Sequence, residues 1–176
     1  GSNHSRPLLE ELARGAGAAL VFESGRATDQ IVTQRKGTGK VLVVVTGTAA
    51  HAGNNLKDGK NALWALARFI DFAQGQTDWD RGVTVNVGLA SGGTSANTVP
   101  AHARCDIDFR YVHAVDGHAL MDAFRAQAQA IDAALGTSTA IEGGIRRAPL
   151  ERTTRSVELL ARYEACALAE GLGGGE

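Results

Sequence analysis

A chain of 176 residues, 44% hydrophobic and with 22 glycines, is long enough for one ordinary domain with flanking pieces and too apolar for a disordered one. Eighteen Lys and Arg against nineteen Asp and Glu leave a formal charge of -1, with the basic residues scattered, which excludes a nucleic-acid footprint. No apolar run approaches the roughly 20 residues of a membrane helix, and Cys105 and Cys166 lie far apart with no Cys-x-x-Cys spacing, as reduced thiols of a cytoplasmic protein would.

In chain order, Ser5, Pro7 and the acids Glu10 and Glu11 predict a short capped helix ending near Ala13. Ala18 to Phe22 reads as a buried strand that ends at Glu23, and Gln30 to Lys36 as a more polar strand. Gly37-Thr-Gly39 marks a boundary. Val41 to Val45 is continuous and largely β-branched, as in a strand covered on both faces. A small-residue turn follows, Thr46-Gly-Thr-Ala-Ala-His51-Ala-Gly53, in which Gly47 and Gly53 leave room for a ligand or a second chain beside the imidazole. Taken alone, it equally describes a plain strand-to-helix turn with a surface histidine.

Asp58 to Gln74 predicts a helix whose apolar stripe is Leu63, Leu66, Ala67, Ile70 and Ala73. Val83, Val85, Val87 and Leu89 alternate with smaller or polar residues, as in a strand with one apolar face. After a turn at Ser91 to Ser95, His102 to Val112 alternates again: Cys105, Ile107, Phe109 and Tyr111 on one side, Asp106, Asp108 and Arg110 on the other. Asp116 is the expected cap of a helix carrying Leu120, Phe124, Ala128, Ile131 and Leu135. Ser138 to Glu142 forms a short strand, and Thr153 to Glu170 a last helix. This order predicts an α+β chain whose centre is a ferredoxin-like split βαβ unit, a four-stranded antiparallel sheet with two helices on one face.

Four residues stand out chemically. Glu23 ends a buried strand, where open α/β sheets place ligands, although a capping or solvated acid is the reading that local evidence favours. Arg110 sits on a polar strand face and can fork two N–H groups onto a carboxylate or pair with Asp108. His51 and Asn97 lie in turns. Other signals fail: Lys36-Gly-Thr-Gly-Lys40 lacks the spacing and the Ser/Thr of a phosphate loop, and neither His-Glu-x-x-His nor Gly-x-Ser-x-Gly occurs.

Taken together, Thr46 to Gly53, Gly59-Lys-Asn-Ala-Leu63, Gly92-Gly-Thr-Ser-Ala-Asn97-Thr-Val-Pro-Ala101 and Asp106-Ile-Asp-Phe-Arg110 resemble the zinc-dependent amidohydrolase and exopeptidase family of glutamate carboxypeptidase, acetylornithine deacetylase and succinyl-diaminopimelate desuccinylase. Leu20-Val-Phe-Glu23 is similar to that family's strand ending in a metal-ligand acid, and Gly1-Ser2 with Ser5-Arg6 to the stretch after its catalytic Glu-Glu pair. The resemblance implies a lid and dimerisation domain at 37–147, the end of a first catalytic segment at 1–36 and the start of a second at 148–176. It further implies a homodimer, a peptide or N-acyl amino acid substrate, and two zinc ions, with cobalt or manganese as alternatives. By the same resemblance His51 donates to an oxyanion, Asn97 and Arg110 hold a substrate carboxylate, and Glu23 binds metal. The family's His-x-Asp motif, its Glu-Glu pair and its last metal histidine have no counterpart in these 176 residues, so this stretch alone is expected to be inactive. A non-catalytic dimerisation or binding module is the alternative.

Overall fold

The computed structural model describes residues 5–21 and 31–172. Two compact units divide the chain: Gln34–Glu151 form one, and Gly1–Thr33 with Arg152–Glu176 form the other.

In the unit of residues 34–151, four strands form one antiparallel sheet in the order β2-β3-β1-β4: β1 (Gly37–Thr46), β2 (Thr84–Gly92), β3 (His102–Tyr111) and β4 (Ser138–Arg147). Helices α2 (Ala62–Gln74) and α3 (Ala114–Leu135) pack on one face. The period-2 pattern of β1 and β3 explains why. Val41, Val43 and Val45 of β1 and Cys105, Ile107, Phe109 and Tyr111 of β3 are almost fully buried against Leu66, Phe69 and Phe124 of the helices. Each such side chain contributes roughly 1.5–3 kcal/mol by leaving water. The α+β, split βαβ expectation is met.

The details correct several local expectations. Gly37 and Gly39 are the first residues of β1, opposite Tyr111 and Phe109. A Cβ at either glycine would overlap the facing ring. The rings fill that space: Phe109 stacks on Tyr111 and meets Phe124 edge-on, with centroids 6.0 and 6.2 Å apart. Nor is β1 equally covered on both sides, since Leu42 and Val44 on its outer face are only half-buried.

Helix α2 starts later than Asp58. Residues Leu56–Asp58 form a 3-10 turn, and Asn61 Oδ1 accepts the Trp64 N–H at 2.8 Å as the true N-cap. Its buried stripe is Ala62, Ala65, Leu66, Phe69 and Ala73, which leaves Leu63 and Ala67 exposed. In β2 the alternation breaks at a bulge between Val87 and Leu89, which pairs Leu89 with Asp106 on the outer face. Asp116 lies inside the first turn of α3, buried and paired with Arg81, rather than capping it. β4 runs five residues further than expected, to Arg147, because Gly143 with φ +93° lets it follow β1 closely.

In the other unit, α1 (Arg6–Ala13) and α4 (Thr154–Ala169) form where expected; the Ser5 side chain makes no cap bond to α1, whereas α4 opens on a reciprocal Thr153–Ser156 capping box. Residues 18–21 are not a strand, and Leu20 and Val21 are exposed; a strand needs a hydrogen-bonding neighbour, and none pairs with this run among the described residues. Residues 31–36, expected as a strand, contribute a single bridge, Arg35 to Leu150, within the sheet unit.

Candidate functional site

The site grows out of the ends of β1 and β3. Beyond β1, Gly47 N–H donates to the Ala101 carbonyl at 2.7 Å, and a Cβ on Gly47 would overlap the Lys60 carbonyl. This glycine serves close backbone packing rather than access to the imidazole. Residues 50–52 then run beside 97–99: Val99 N–H donates to Ala50 O at 2.8 Å and Ala52 N–H to Asn97 O at 2.9 Å, with a bridge between His51 and Thr98. Buried Val99 pins this double loop from below, against Gly59. His51 and Asn97 are thus held side by side on a braced backbone although 46 positions separate them in the chain.

The His51 ring is exposed, and its Nδ1 accepts the Gly53 N–H at 3.1 Å. An accepting Nδ1 places the proton of the neutral imidazole on Nε2, so the ring presents an N–H donor outward. Gly53 is the glycine that matters here, because a Cβ on it would lie 3.3 Å from the ring's Cε1. Asn97 is also exposed. Its Oδ1 accepts the Ser95 hydroxyl at 2.9 Å, which leaves the amide N–H groups as its available donors.

Arg110 lies elsewhere. His102 opens β3 next to the loops, and Arg110 sits eight residues further along the same strand, roughly 26 Å away at the ~3.3 Å rise of a strand. It points to the outer face with Asp106 and Asp108 and donates Nε–H to Asp108 Oδ1 at 2.8 Å. The structure therefore unites His51 with Asn97 and sets Arg110 at the opposite end of the sheet. Glu23 lies outside the described residues. Among the described residues no three His, Cys, Asp or Glu side chains come together as a metal set. Cys105 is no nucleophile: burial, and then the Asp106 charge, push its thiol up to about 11.

Two further residues shape the β2 edge and left no periodic signal in the sequence. Gln74 Oε1 accepts the Val87 N–H at 2.9 Å, and the Thr77 hydroxyl accepts the Val85 N–H at 3.2 Å. These side chains, from the end of α2 and just beyond it, close the first half of the edge; residues 88–92 have no such cover among the described residues. No residue of β2 is charged, whereas the opposite edge, β4, carries Glu142, Arg146 and Arg147.

Comparison with known proteins adds to this geometry. A family profile described as peptidase dimerisation domain matches residues 33–134. Carboxypeptidase G2 of Pseudomonas sp. (strain RS-16) is 32% identical over 130 residues, 73% of this chain and 31% of that protein. The indole-3-acetyl-aspartic acid hydrolase of Enterobacter agglomerans is 38% identical over 74 residues, 42% of this chain and 17% of its own. The aminopeptidase PepT of Bacillus cereus ATCC 10987 shares the fold, with a TM-score of 0.72 at 22% identity over 86% of this chain and 40% of that one. The chain thus spans about a third of the length of carboxypeptidase G2.

Proposed function

The chain belongs to the peptidase dimerisation domain family, and from that premise we propose that it is the lid and dimer-forming part of a longer hydrolase that cleaves an amide bond of a peptide or an N-acyl amino acid. The observation that carries the reading is the His51 imidazole, held by Gly53 with its Nε2–H outward on an exposed loop. A donor so placed meets the carbonyl oxygen of a scissile amide and gains most as that oxygen takes on charge. Asn97, beside it, keeps its amide N–H groups for the substrate's carboxylate. Arg110 keeps N–H groups beyond those given to Asp108 and offers them to a substrate carboxylate.

The separation of Arg110 from the paired loops decides how these groups meet. Within one chain they cannot reach the same small substrate. His51 and Asn97 of one copy and Arg110 of another complete one site when two copies pair. The pairing we assign runs through residues 88–92 of β2, the uncharged and uncovered edge, with exposed Leu63 and Trp64 of α2 beside it. Enzymes of this family are generally metal-dependent. For the whole enzyme we propose two zinc ions, with cobalt or manganese as substitutes. Glu23 would be this chain's one ligand, and residues 1–36 and 148–176 would belong to the catalytic domain.

Complementation in the full-length protein tests the reading. His51→Ala and Arg110→Ala each abolish most hydrolysis of N-acyl amino acids, and co-expression of the two restores up to about a quarter of wild-type turnover, since half the dimers are mixed and each has one intact site of two. No recovery would overturn the shared site. A full-length wild-type protein that leaves N-acyl amino acids and dipeptides uncleaved would overturn the hydrolase.

A further inference from the structure

The loop that carries Asn97 is braced at its root and bare at its crest. Gly93 N–H donates to His102 O at 3.3 Å and Ala62 N–H to Pro100 O at 2.9 Å, with Val99 buried between these anchors. Ala96 and Asn97 form the turn at the crest, and both are exposed. An asparagine in such a place turns freely about its side-chain bonds, and a half-turn of the terminal amide replaces its N–H donors with an oxygen. An arriving carboxylate would then meet repulsion in place of hydrogen bonds. The braced backbone does not decide which end of the amide faces outward.

Two hydroxyls do. Ser95 Oγ lies 2.9 Å from Asn97 Oδ1 and 3.0 Å from Thr98 Oγ1. The amide oxygen carries no hydrogen, so the proton in the first contact belongs to Ser95. A hydroxyl has a single proton to give, so the second contact takes its proton from Thr98. The direction of the chain is thereby fixed: Thr98 O–H donates to Ser95 Oγ, and Ser95 O–H donates to Asn97 Oδ1. Each bond polarises the next, because a hydroxyl that accepts is the better donor. The chain starts at half-buried Thr98, whose backbone is bridged to His51, so the frame that carries the imidazole also sets the Asn97 amide.

We infer that Ser95, backed by Thr98, is a positioning residue for the hydrolase: it holds the amide oxygen of Asn97 toward the loop, so that the N–H groups face the substrate's carboxylate. The inference rests on the carboxylate role given to Asn97 above and adds the group that orients it. Removing the Ser95 hydroxyl frees the amide to turn and acts on binding alone, since the His51 ring is held separately by the Gly53 N–H.

Kinetics of the full-length enzyme and relaxation of the Asn97 amide test it together. Ser95→Ala raises KM for an N-acyl amino acid about fivefold, the scale of one neutral hydrogen bond, while kcat and the amide-capped analogue stay within about twofold of wild type. Ser95→Thr, which keeps the hydroxyl, restores KM. On an Asn97→Ala background Ser95→Ala adds nothing, because the group it orients is gone. In full-length protein labelled with 15N at asparagine, the order parameter of the Asn97 side-chain amide, assigned by its loss in Asn97→Ala, falls in Ser95→Ala and is kept in Ser95→Thr. A KM raised by Asn97→Ala but unmoved by Ser95→Ala, an additive effect in the double variant, a fall in kcat, or an unchanged order parameter overturns the positioning role and leaves the hydrolase reading intact. A KM indifferent to Asn97→Ala overturns the carboxylate role of Asn97, and the inference with it. An amide ordered through Ser95 in a wild-type protein that cleaves neither N-acyl amino acids nor dipeptides upholds the positioning and overturns the hydrolase reading.

Discussion

Arg110 and Asp108 are joined along one face of β3 by two hydrogen bonds, Nε to Oδ1 at 2.8 Å and Nη2 to Oδ2 at 3.3 Å. Both side chains are half exposed, so the pair contributes no more than about 1 kcal/mol to stability. Its effect is to aim the guanidinium. In the full-length enzyme Arg110→Lys is expected to raise KM for carboxylate-bearing substrates about tenfold with kcat little changed, because lysine keeps the charge and loses the fork. Steady-state kinetics on a substrate and its amide-capped analogue check this, and equal losses on both would argue against carboxylate recognition.

The role proposed for His51 is to donate through Nε2 to an oxygen that becomes charged only during reaction. His51→Ala in the full-length enzyme should therefore lower kcat by about a hundredfold or more while KM moves within about twofold. The exposed ring carries no packing load, so the melting temperature should hold. An unchanged kcat would remove His51 from the mechanism.

The uncovered half of the β2 edge and the exposed side chains Trp64 and Leu89 make a surface suited to a second copy. Trp64→Glu with Leu89→Arg should shift the full-length protein from dimer to monomer in sedimentation velocity, with little effect on monomer folding, since both side chains are more than half exposed. By the shared-site geometry, activity should fall with the dimer fraction. A fully active monomer would refute that geometry.

Glu151 holds the start of α3: its carboxylate accepts the Ala114 N–H at 2.8 Å and lies 3.3 Å from His113 Nδ1. The Ala114 N–H first, and then His113, hold this carboxyl below its ordinary range. With the folded value depressed, the contact contributes fully above the ordinary carboxylate range and is lost as pH falls through the folded value. Amide exchange at Ala114 should accelerate on acidification through that window, relative to neighbouring amides of α3, and Glu151→Gln should flatten the dependence. A pH-independent difference between Ala114 and its neighbours would rule out this role.

The outline of the fold was readable because it depends on local periodicity. Alternation in β3 and the apolar stripe of α3 survive folding almost unaltered, since a side chain on the wrong face of a two-layer unit would cost the whole burial energy of its row. The misreadings fall where a distant partner overrides the local pattern. Gly37-Thr-Gly39 reads as a break until Tyr111 and Phe109 occupy the space above it. Leu89 reads as core until the bulge at Gly88 turns it outward against Asp106. Residues 18–21 read as a strand although no neighbour pairs with them among the described residues.

The sequence by itself determined the α+β class, the helix and strand order from β1 to β4, and the four motifs that identify the family, because each is written in residues close together in the chain. Only the tertiary structure decided that His51 and Asn97 share one end of the sheet and Arg110 the other. It also decided that Gly53 sets the tautomer of His51 and that Arg104 has no carboxylate partner among the described residues. Those relationships depend on strand register and on loops that leave the neighbouring strands β1 and β3 at one end of the sheet, and no local spacing encodes a distance between residues that only folding brings together.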